Sequence, residues 1–120
     1  MLNYCKNESI IYYSLGNFIS DQRRLDTNGG AMTYLEFIKK DNNIKILNSG
    51  YILVWKWKKN INNKYKYFNL PITEYDKIPD KYYEDKIAMK IFMERTRNLL
   101  KIYNQNVNEC YFNNDELIFL

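Results

Sequence analysis

The sequence contains no histidine among its 120 residues. Histidine is the usual general base near neutral pH and the commonest protein ligand for transition metals. No phosphate-binding glycine loop, no pair of carboxylates on one predicted face and no nucleophile beside a base stands out either. The residues therefore predict no catalytic site and no metal site in this chain.

Cysteine and long apolar runs are also scarce. The two cysteines, Cys5 and Cys110, stand near opposite ends of the chain and form neither a disulfide framework nor a zinc pattern. They could pair if the two ends meet, so their redox state stays open. No apolar run approaches the roughly 20 residues of a membrane span. The N-terminal sequence MLNYCKNES lacks the basic flank and apolar stretch of a signal peptide.

Aromatic residues are abundant instead, at 17%, with 12 Tyr and 2 Trp. Aromatic and β-branched residues favour strands over helices. A content of 46% hydrophobic and 27% charged residues is ordinary for a folded globular protein. The formal net charge of +4 is too small to mark a dedicated nucleic-acid binder. We therefore expect one compact domain over residues 1–120 with a high content of sheet.

Apolar alternation divides much of the chain into strands separated by turn residues. The predicted strands are residues 8–19, 31–40, 44–47, 51–59 and 64–70. The first is apolar on both faces and is expected to be central in the sheet. Residues 20–30, SDQRRLDTNGG, are expected to form an exposed loop. Residues 41–43 are a predicted turn that makes the second and third strands a hairpin, and residues 60–63 are a predicted turn that makes the fourth and fifth strands another. Ser49-Gly50 is expected to separate the two hairpins. Residues 110–112 and 117–120 are expected to form a terminal edge hairpin.

One helix is predicted, from about Asp80 to Tyr103. Asp80 follows a proline as a candidate N-cap, and Glu84 and Asp85 lie in the first turn, where the helix dipole favours acidic residues. The face predicted to pack on the sheet consists of Ile87, Ala88, Ile91, Phe92, Leu99 and Ile102. The predicted fold class is α+β, an antiparallel-rich sheet of about five to six strands with one long helix packed on it.

Lysines alternate with aromatic residues on the second predicted hairpin. The lysines are Lys56, Lys58, Lys59, Lys64 and Lys66, and the aromatic residues are Trp55, Trp57, Tyr65 and Tyr67. Such a surface can bind an acidic polymer or nucleic acid, but a solvated lysine face behind an aromatic core face is the commoner outcome. Arg23 and Arg24 in the predicted loop are further anion-binding candidates, because paired guanidinium groups hold carboxylates and phosphates.

The most distinctive stretch is residues 10–21, IIYYSLGNFISD. A run of β-branched and aromatic residues stops at Gly16-Asn17, and Gly and Asn adopt positive φ at the lowest cost. A strand that ends in this way brings a backbone turn and one amide side chain to an edge or a cleft. By itself the stretch predicts a turn and no activity.

Three segments in this order resemble the C-terminal portion of the CapA family, proteins of bacterial capsule and poly-γ-glutamate synthesis that are similar to metallophosphoesterases. Residues 10–21 resemble the family's strand that ends in SLGNF. Residues 50–72, GYILVWKWKKNINNKYKYFNLPI, resemble its late hairpin that finishes in Leu-Pro. Residues 83–100, which contain ERTRNLL, resemble its closing helix.

The resemblance implies that Ser14, Gly16, Asn17 and Phe18 line a cleft beside a divalent-metal site. In the family the metal ligands, including a His-Pro-His segment, lie upstream of the SLGNF strand, so the metal belongs to a portion that this chain does not contain. The expectation is a cleft-completing domain with no catalytic residue and no cofactor of its own.

The partner implied by the resemblance is the N-terminal catalytic portion of the same family, at the bacterial cell envelope or its extracytoplasmic face. The chain would then be a fragment of a larger protein, or a separate polypeptide would supply the catalytic part. An acidic polymer is the alternative partner. An exposed sheet edge could also allow homo-oligomers.

Overall fold

The computed structural model describes residues 3–6, 9–17, 21–22, 24, 27–114 and 116–120, and only the backbone of residues 3–6. The strands in this part are β1 (Asn3–Lys6), β2 (Ser9–Tyr12), β3 (Gly29–Lys40), β4 (Asn43–Ile61), β5 (Lys64–Pro71), β6 (Asn108–Asn113) and β7 (Glu116–Phe119). Helix α1 (Tyr83–Tyr103) follows two short 3-10 helices, Ile72–Lys77 and Asp80–Tyr82. The predicted α+β class is confirmed.

The sheet is built on β4, which has 19 residues. β3 pairs antiparallel with one edge of β4 along most of its length. The opposite edge is shared, because β5 pairs antiparallel with residues 54–61 while β6 pairs parallel at Gly50 and Tyr51. β7 extends the sheet beyond β6 as the predicted terminal hairpin. The five-stranded sheet is therefore mixed and not antiparallel throughout.

The predicted break at Ser49-Gly50 is wrong, since β4 continues through both residues. Gly50 is buried, and a Cβ built on it would lie 2.7 Å from Cys110 Sγ and 3.0 Å from Asn108 O. A larger residue would push β6 away from β4. This glycine marks the approach of a neighbouring strand and not the end of its own.

Both faces of β4 are covered by apolar side chains. Because side chains alternate along a strand, every second residue faces α1. The β4 members of this main core are Tyr51, Leu53, Trp55 and Trp57. The opposite face carries a smaller cluster of Ile52, Val54 and Cys110. All residues from 51 to 57 are therefore buried, and β4 takes the central place that we expected for residues 8–19.

The N-terminal strands form a separate two-stranded hairpin. β2 pairs with β1, a strand that the sequence pattern did not predict. Ile10 and Tyr12 pack against the main core, and the Tyr12 hydroxyl donates to Gly50 O at 3.1 Å. Ile11 and Tyr13 on the other face are exposed. The expectation of a strand buried on both faces was wrong, because apolar residues here occupy solvent-facing positions.

Helix α1 packs on the sheet through a face different from the predicted one. Its buried residues are Met89, Phe92 and Leu100. Of the predicted packing face, only Phe92 is buried and Ala88 half-buried, whereas the exposed members are Ile87, Ile91, Leu99 and Ile102, from 38% to 72% exposed. Apolar residues surround much of this helix, so periodicity alone did not single out the buried side.

Polar contacts fix both ends of α1. Near the start, Trp57 Nε1 donates to Asp85 Oδ2 at 2.9 Å. Near the end, the Arg97 guanidinium donates to both carboxylate oxygens of Glu109 on β6, at 3.0 and 2.8 Å. The N-cap prediction for Asp80 was wrong, because Asp80 lies in the preceding 3-10 helix and no side chain caps α1. The start of α1 contacts Trp57 near the end of β4, and the end of α1 contacts Glu109, which pairs with Tyr51 earlier in β4. The helix therefore runs antiparallel to β4.

The outer part of the β3–β4 hairpin, residues 35–48, is called the hairpin arm below. Its exposed apolar residues are Leu35, Phe37, Ile38, Ile44 and Leu47, from 37% to 64% exposed. A β-bulge interrupts the pairing between Glu36 and Phe37. The molecule measures 55 × 30 × 23 Å along its principal axes, which fits an elongated sheet that carries a projecting hairpin.

Cys110 is a buried free thiol whose Sγ donates to Tyr51 O at 3.6 Å. The side chain of Cys5 lies outside the described residues. Within the described part of the chain, no helix is both long enough and apolar enough to cross a membrane.

Candidate functional site

The SLGN segment, residues 14–17, lies along the outer edge of β3. Backbone hydrogen bonds of 2.8 and 3.2 Å join Leu15 O and Asn17 N–H to β3, and Gly16 forms a bridge with Gly30. The positive φ predicted for the Gly-Asn pair occurs at Gly16, with φ of 75°. The segment therefore adds a short irregular strand to the sheet.

Gly16 and Gly30 allow this approach, and Gly29 leaves room for α1. A Cβ on Gly30 would lie 2.3 Å from Leu15 O, and a Cβ on Gly16 would lie 2.9 Å from Gly29 O. A Cβ on Gly29 would lie 2.5 Å from the Phe92 ring. The Gly-Gly pair that we expected at the exit of an exposed loop is thus the buried start of β3, clamped between the SLGN segment and α1.

The Asn17 side chain binds the chain that follows it. Its Nδ2 donates to Gln22 Oε1 at 2.8 Å and to Thr27 O at 3.2 Å. Both partners belong to the stretch that leads into β3, so the amide holds this stretch against the strand end. Ser14 is exposed, and its Oγ accepts from Gly16 N–H at 3.4 Å. Phe18 lies outside the described residues.

A groove of about 560 Å³ separates the SLGN segment from α1. Its lining consists of Ser14, Leu15, Gly16, Gly29, Gly30, Phe92, Arg95, Thr96, Asn98, Leu99 and Ile102. The family resemblance implied that Ser14, Gly16, Asn17 and Phe18 line a cleft. Ser14 and Gly16 line this groove and Asn17 does not, while Phe18 lies outside the described residues. Arg95 was not predicted as a site residue. The signal in the sequence was its position four residues after the apolar Ile91 in the predicted helix, which places the two side chains on the same side of the helix.

The groove offers apolar surface and one cation. Leu15, Leu99 and Ile102 are 39%, 45% and 72% exposed, and Arg95 is the charged residue of the lining. In the described residues no three His, Cys, Asp or Glu side chains are grouped so that they could hold a metal ion. The chemistry of this surface suits contact with another macromolecular surface better than it suits catalysis.

The five lysines of the second hairpin do not share one environment. Lys56 is only 6% exposed, and its Nζ donates to the carbonyl oxygens of Gln22 and Thr27. Buried ammonium groups need such partners, because an unpaired buried charge is very costly. Lys56 therefore fastens the stretch before β3 to β4 from the inside.

Lys58 forms a salt bridge with a neighbouring carboxylate. Its Nζ lies 2.6 Å from Asp21 Oδ1, which also accepts from the Tyr67 hydroxyl at 2.9 Å. The Tyr65 ring centroid lies 4.2 Å from the same ammonium. The hydrogen bond to Asp21 raises the pKa of Lys58, so this lysine stays charged but is already paired.

The remaining lysines lie on the other face of the hairpin, where Lys64 and Lys66 are exposed and Lys59 is half-buried. Lys66 pairs in register with Lys59, while Tyr67 pairs with Lys58. Since opposite residues of an antiparallel pair share a face, Lys59 and Lys66 lie on one face and Lys58 and Tyr67 on the other. Lys64 lies on the face of Lys66. The lysine cluster expected from sequence is thus divided between two faces.

A small cavity of about 180 Å³ lies beside Trp55, Lys56 and Lys58 of β4. Its lining consists of Asp21, Gln22, Asn28, Trp55, Lys56, Lys58, Tyr67, Asp85 and Ala88. Trp55 Nε1 and Asn28 Oδ1 are buried and make no hydrogen bond to a described protein group. Both atoms are shielded from solvent, so they are not offered to a ligand from outside.

The arginines expected to bind anions are not brought together by described contacts. Arg24 is exposed, and its carbonyl oxygen accepts hydrogen bonds from the N–H and hydroxyl of Thr27, at 2.9 and 3.2 Å. Arg23 lies outside the described residues. An Arg pair at this position therefore stays a prediction.

Comparison with known proteins identifies no relative: no family model, no curated protein and no solved structure matches the chain.

Proposed function

We propose that the chain is a non-catalytic, cleft-completing domain that corresponds to the C-terminal part of a CapA-like protein of capsule or poly-γ-glutamate synthesis. The observation that carries the proposal is the SLGN segment, which the glycines of β3 hold beside an open groove. The bridge between Gly16 and Gly30 supports the proposal, because it fixes this segment at the rim of the groove.

The composition of the groove supports a protein partner. Exposed leucine and isoleucine side chains surround one guanidinium, and interface centres are rich in apolar residues and arginine. In the proposed complex the metal ligands come from the catalytic portion. Ser14 and Gly16 then form one wall of the shared cleft, while Asn17 keeps that wall in place through Gln22 and Thr27.

The test is binding to the metallophosphoesterase-like portion of a CapA-family protein, expressed separately and titrated by calorimetry. Leu99→Arg in the groove is expected to weaken binding about tenfold or more, because it buries a charge in an apolar contact. Ile44→Arg is the matched control, since Ile44 is 64% exposed on the hairpin arm, away from the groove lining. It should leave the affinity unchanged.

Two results contradict this function. Equal effects of the two arginine substitutions would show that the groove is not the contact. Metal-dependent phosphoesterase activity of the isolated chain would show that it is a catalyst itself.

A second candidate function is a binding module for an acidic polymer. It is favoured by Lys64 and Lys66, which are exposed on one face of β5. The probes are polyglutamate and single-stranded DNA at low salt, and the variant is Lys64→Glu with Lys66→Glu. Lys56 is unsuitable for this test because its ammonium is internal. Lys90→Glu with Lys101→Glu on α1 controls for net charge, because both lysines are exposed on the helix. Absence of binding to both probes rejects this candidate.

A further inference from the structure

We propose that two copies of the chain associate through the outer edge of β3 in the hairpin arm, which joins their sheets across a two-fold axis at Ile38. This inference concerns a surface distinct from the groove and does not depend on the function proposed above.

The outer edge of β3 is available for pairing. Ala31 N–H points away from β4, because it donates to Leu15 O. The direction of backbone groups alternates along a strand, so the N–H and C=O groups of Leu35, Phe37 and Lys39 also point away from β4. Beyond Ala31 no described strand pairs with this edge. Open edges of this kind are templates for another strand.

Charge selects one register for this pairing. Two β3 strands related by a two-fold axis normal to the sheet oppose residues of the same face. With the axis at Ile38, Glu36 opposes Lys40 of the second copy, and Lys40 opposes its Glu36. An axis at Glu36 or at Lys39 would oppose like charges, and an axis at Phe37 would oppose no charges at all. Only the Ile38 register forms two opposite-charge pairs.

The same register covers apolar surface. Ile38 is 47% exposed and would meet Ile38 of the second copy on one face, while Phe37, 58% exposed, would oppose the aliphatic stem of Lys39 of the second copy on the other face. Edge pairing over a few residues buries less surface than a standard interface, so the dimer is expected to be weak and to form at high concentration.

The experiment is sedimentation equilibrium of the full chain up to near-millimolar concentration. The wild type is expected to dimerise reversibly. Glu36→Lys alone and Lys40→Glu alone are each expected to raise the dissociation constant about tenfold or more, because each turns two attractive pairs into repulsive ones. Lys101→Glu, on the helix, is the control for net charge and should behave like the wild type.

Mixing the two single variants, or combining both substitutions in one chain, gives a sharper test. A mixture of the two single variants is expected to form a heterodimer about as tight as the wild type, since the introduced lysine faces the introduced glutamate and Lys40 faces Glu36. The double variant E36K/K40E should also recover dimerisation. Circular dichroism of each variant checks that the fold is kept.

A wild type that stays monomeric at all concentrations overturns the proposal. Dimerisation that neither single variant weakens, or that the mixture fails to restore, also overturns it, because the contact then lies elsewhere. None of these results bears on binding at the groove, which Leu99→Arg tests separately.

Discussion

Among the four glycines, Gly30 has the shortest contact at the position that a Cβ would occupy. Its Cβ position lies 2.3 Å from Leu15 O, a backbone atom that cannot rotate away. Gly30→Ala is therefore expected to lower the free energy of unfolding by about 2 kcal/mol or more, since the SLGN segment must detach from β3. Urea denaturation followed by tryptophan fluorescence measures the change.

Ser14→Ala is the matched control for Gly30→Ala. Ser14 is exposed in the same segment, and its replacement should change the free energy of unfolding by less than about 0.5 kcal/mol. If Gly30→Ala were as mild as this control, the close approach of the SLGN segment to β3 would be wrong.

Single residues differ in how far their role could be predicted from sequence. The positive φ at Gly16 was predictable because glycine adopts it most readily. The demand for glycine at residue 30 was not, because the clashing atom belongs to Leu15, on another strand. The burial of Lys56 was also unpredictable, since a lysine in an alternating strand normally faces solvent.

At the scale of elements, the contact between β4 and β6 is expected to weaken at high pH. Burial, followed by the nearby Glu109 carboxylate, raises the pKa of Tyr51 from 10.0 to about 12 and that of Cys110 from 9.0 to about 11. The unfolded chain releases these protons at lower pH than the folded chain. Their contribution to stability is therefore complete below about pH 9 and is lost as pH rises towards 12.

The expected fall in the free energy of unfolding is about 2 to 3 kcal/mol between neutral pH and about pH 10.5. Urea denaturation at the two pH values measures it. Cys110→Ala lowers stability at both values because it leaves a cavity, but its additional loss at high pH should be smaller than that of the wild type. An equal additional loss would show that the thiol does not contribute.

Elements were predictable where local pattern and tertiary packing agree. The region of α1 and the C-terminal hairpin follow the sequence pattern, because turn residues bound them on both sides. The buried face of α1 did not follow, since Ile87 and Met89 are both apolar and only the position of β4 decides between them. The pairing of residues 9–12 with β1 in a separate hairpin could not be predicted, because the four residues of β1 have only a weak strand pattern.

At the scale of the whole molecule, the two cores are expected to unfold together. They occupy opposite faces of the same strand, with Leu53 in one and Val54 in the other. If either cluster unfolds, β4 loses its position and the other cluster loses its packing surface. Tryptophan fluorescence, which reports Trp55 and Trp57, and far-ultraviolet circular dichroism, which is dominated by α1, should give coincident urea transitions. Separate midpoints would contradict a single cooperative unit.

The groove could be predicted only in part at this scale. Residues 14–17 were identified from sequence, but the opposite wall comes from Arg95 and Leu99 on α1, about 80 residues later in the chain. No local pattern links these two segments, and the fold alone brings them together.

The central position of β4 also has a consequence for synthesis on the ribosome. β2 and the SLGN segment are synthesised before their partners on β3 and β4, Gly30 and Gly50 among them. The N-terminal hairpin can therefore dock only after the β3–β4 hairpin has left the exit tunnel, and that hairpin can form early because its contacts are close in sequence. These N-terminal strands are thus made before the β3–β4 hairpin and join the fold after it.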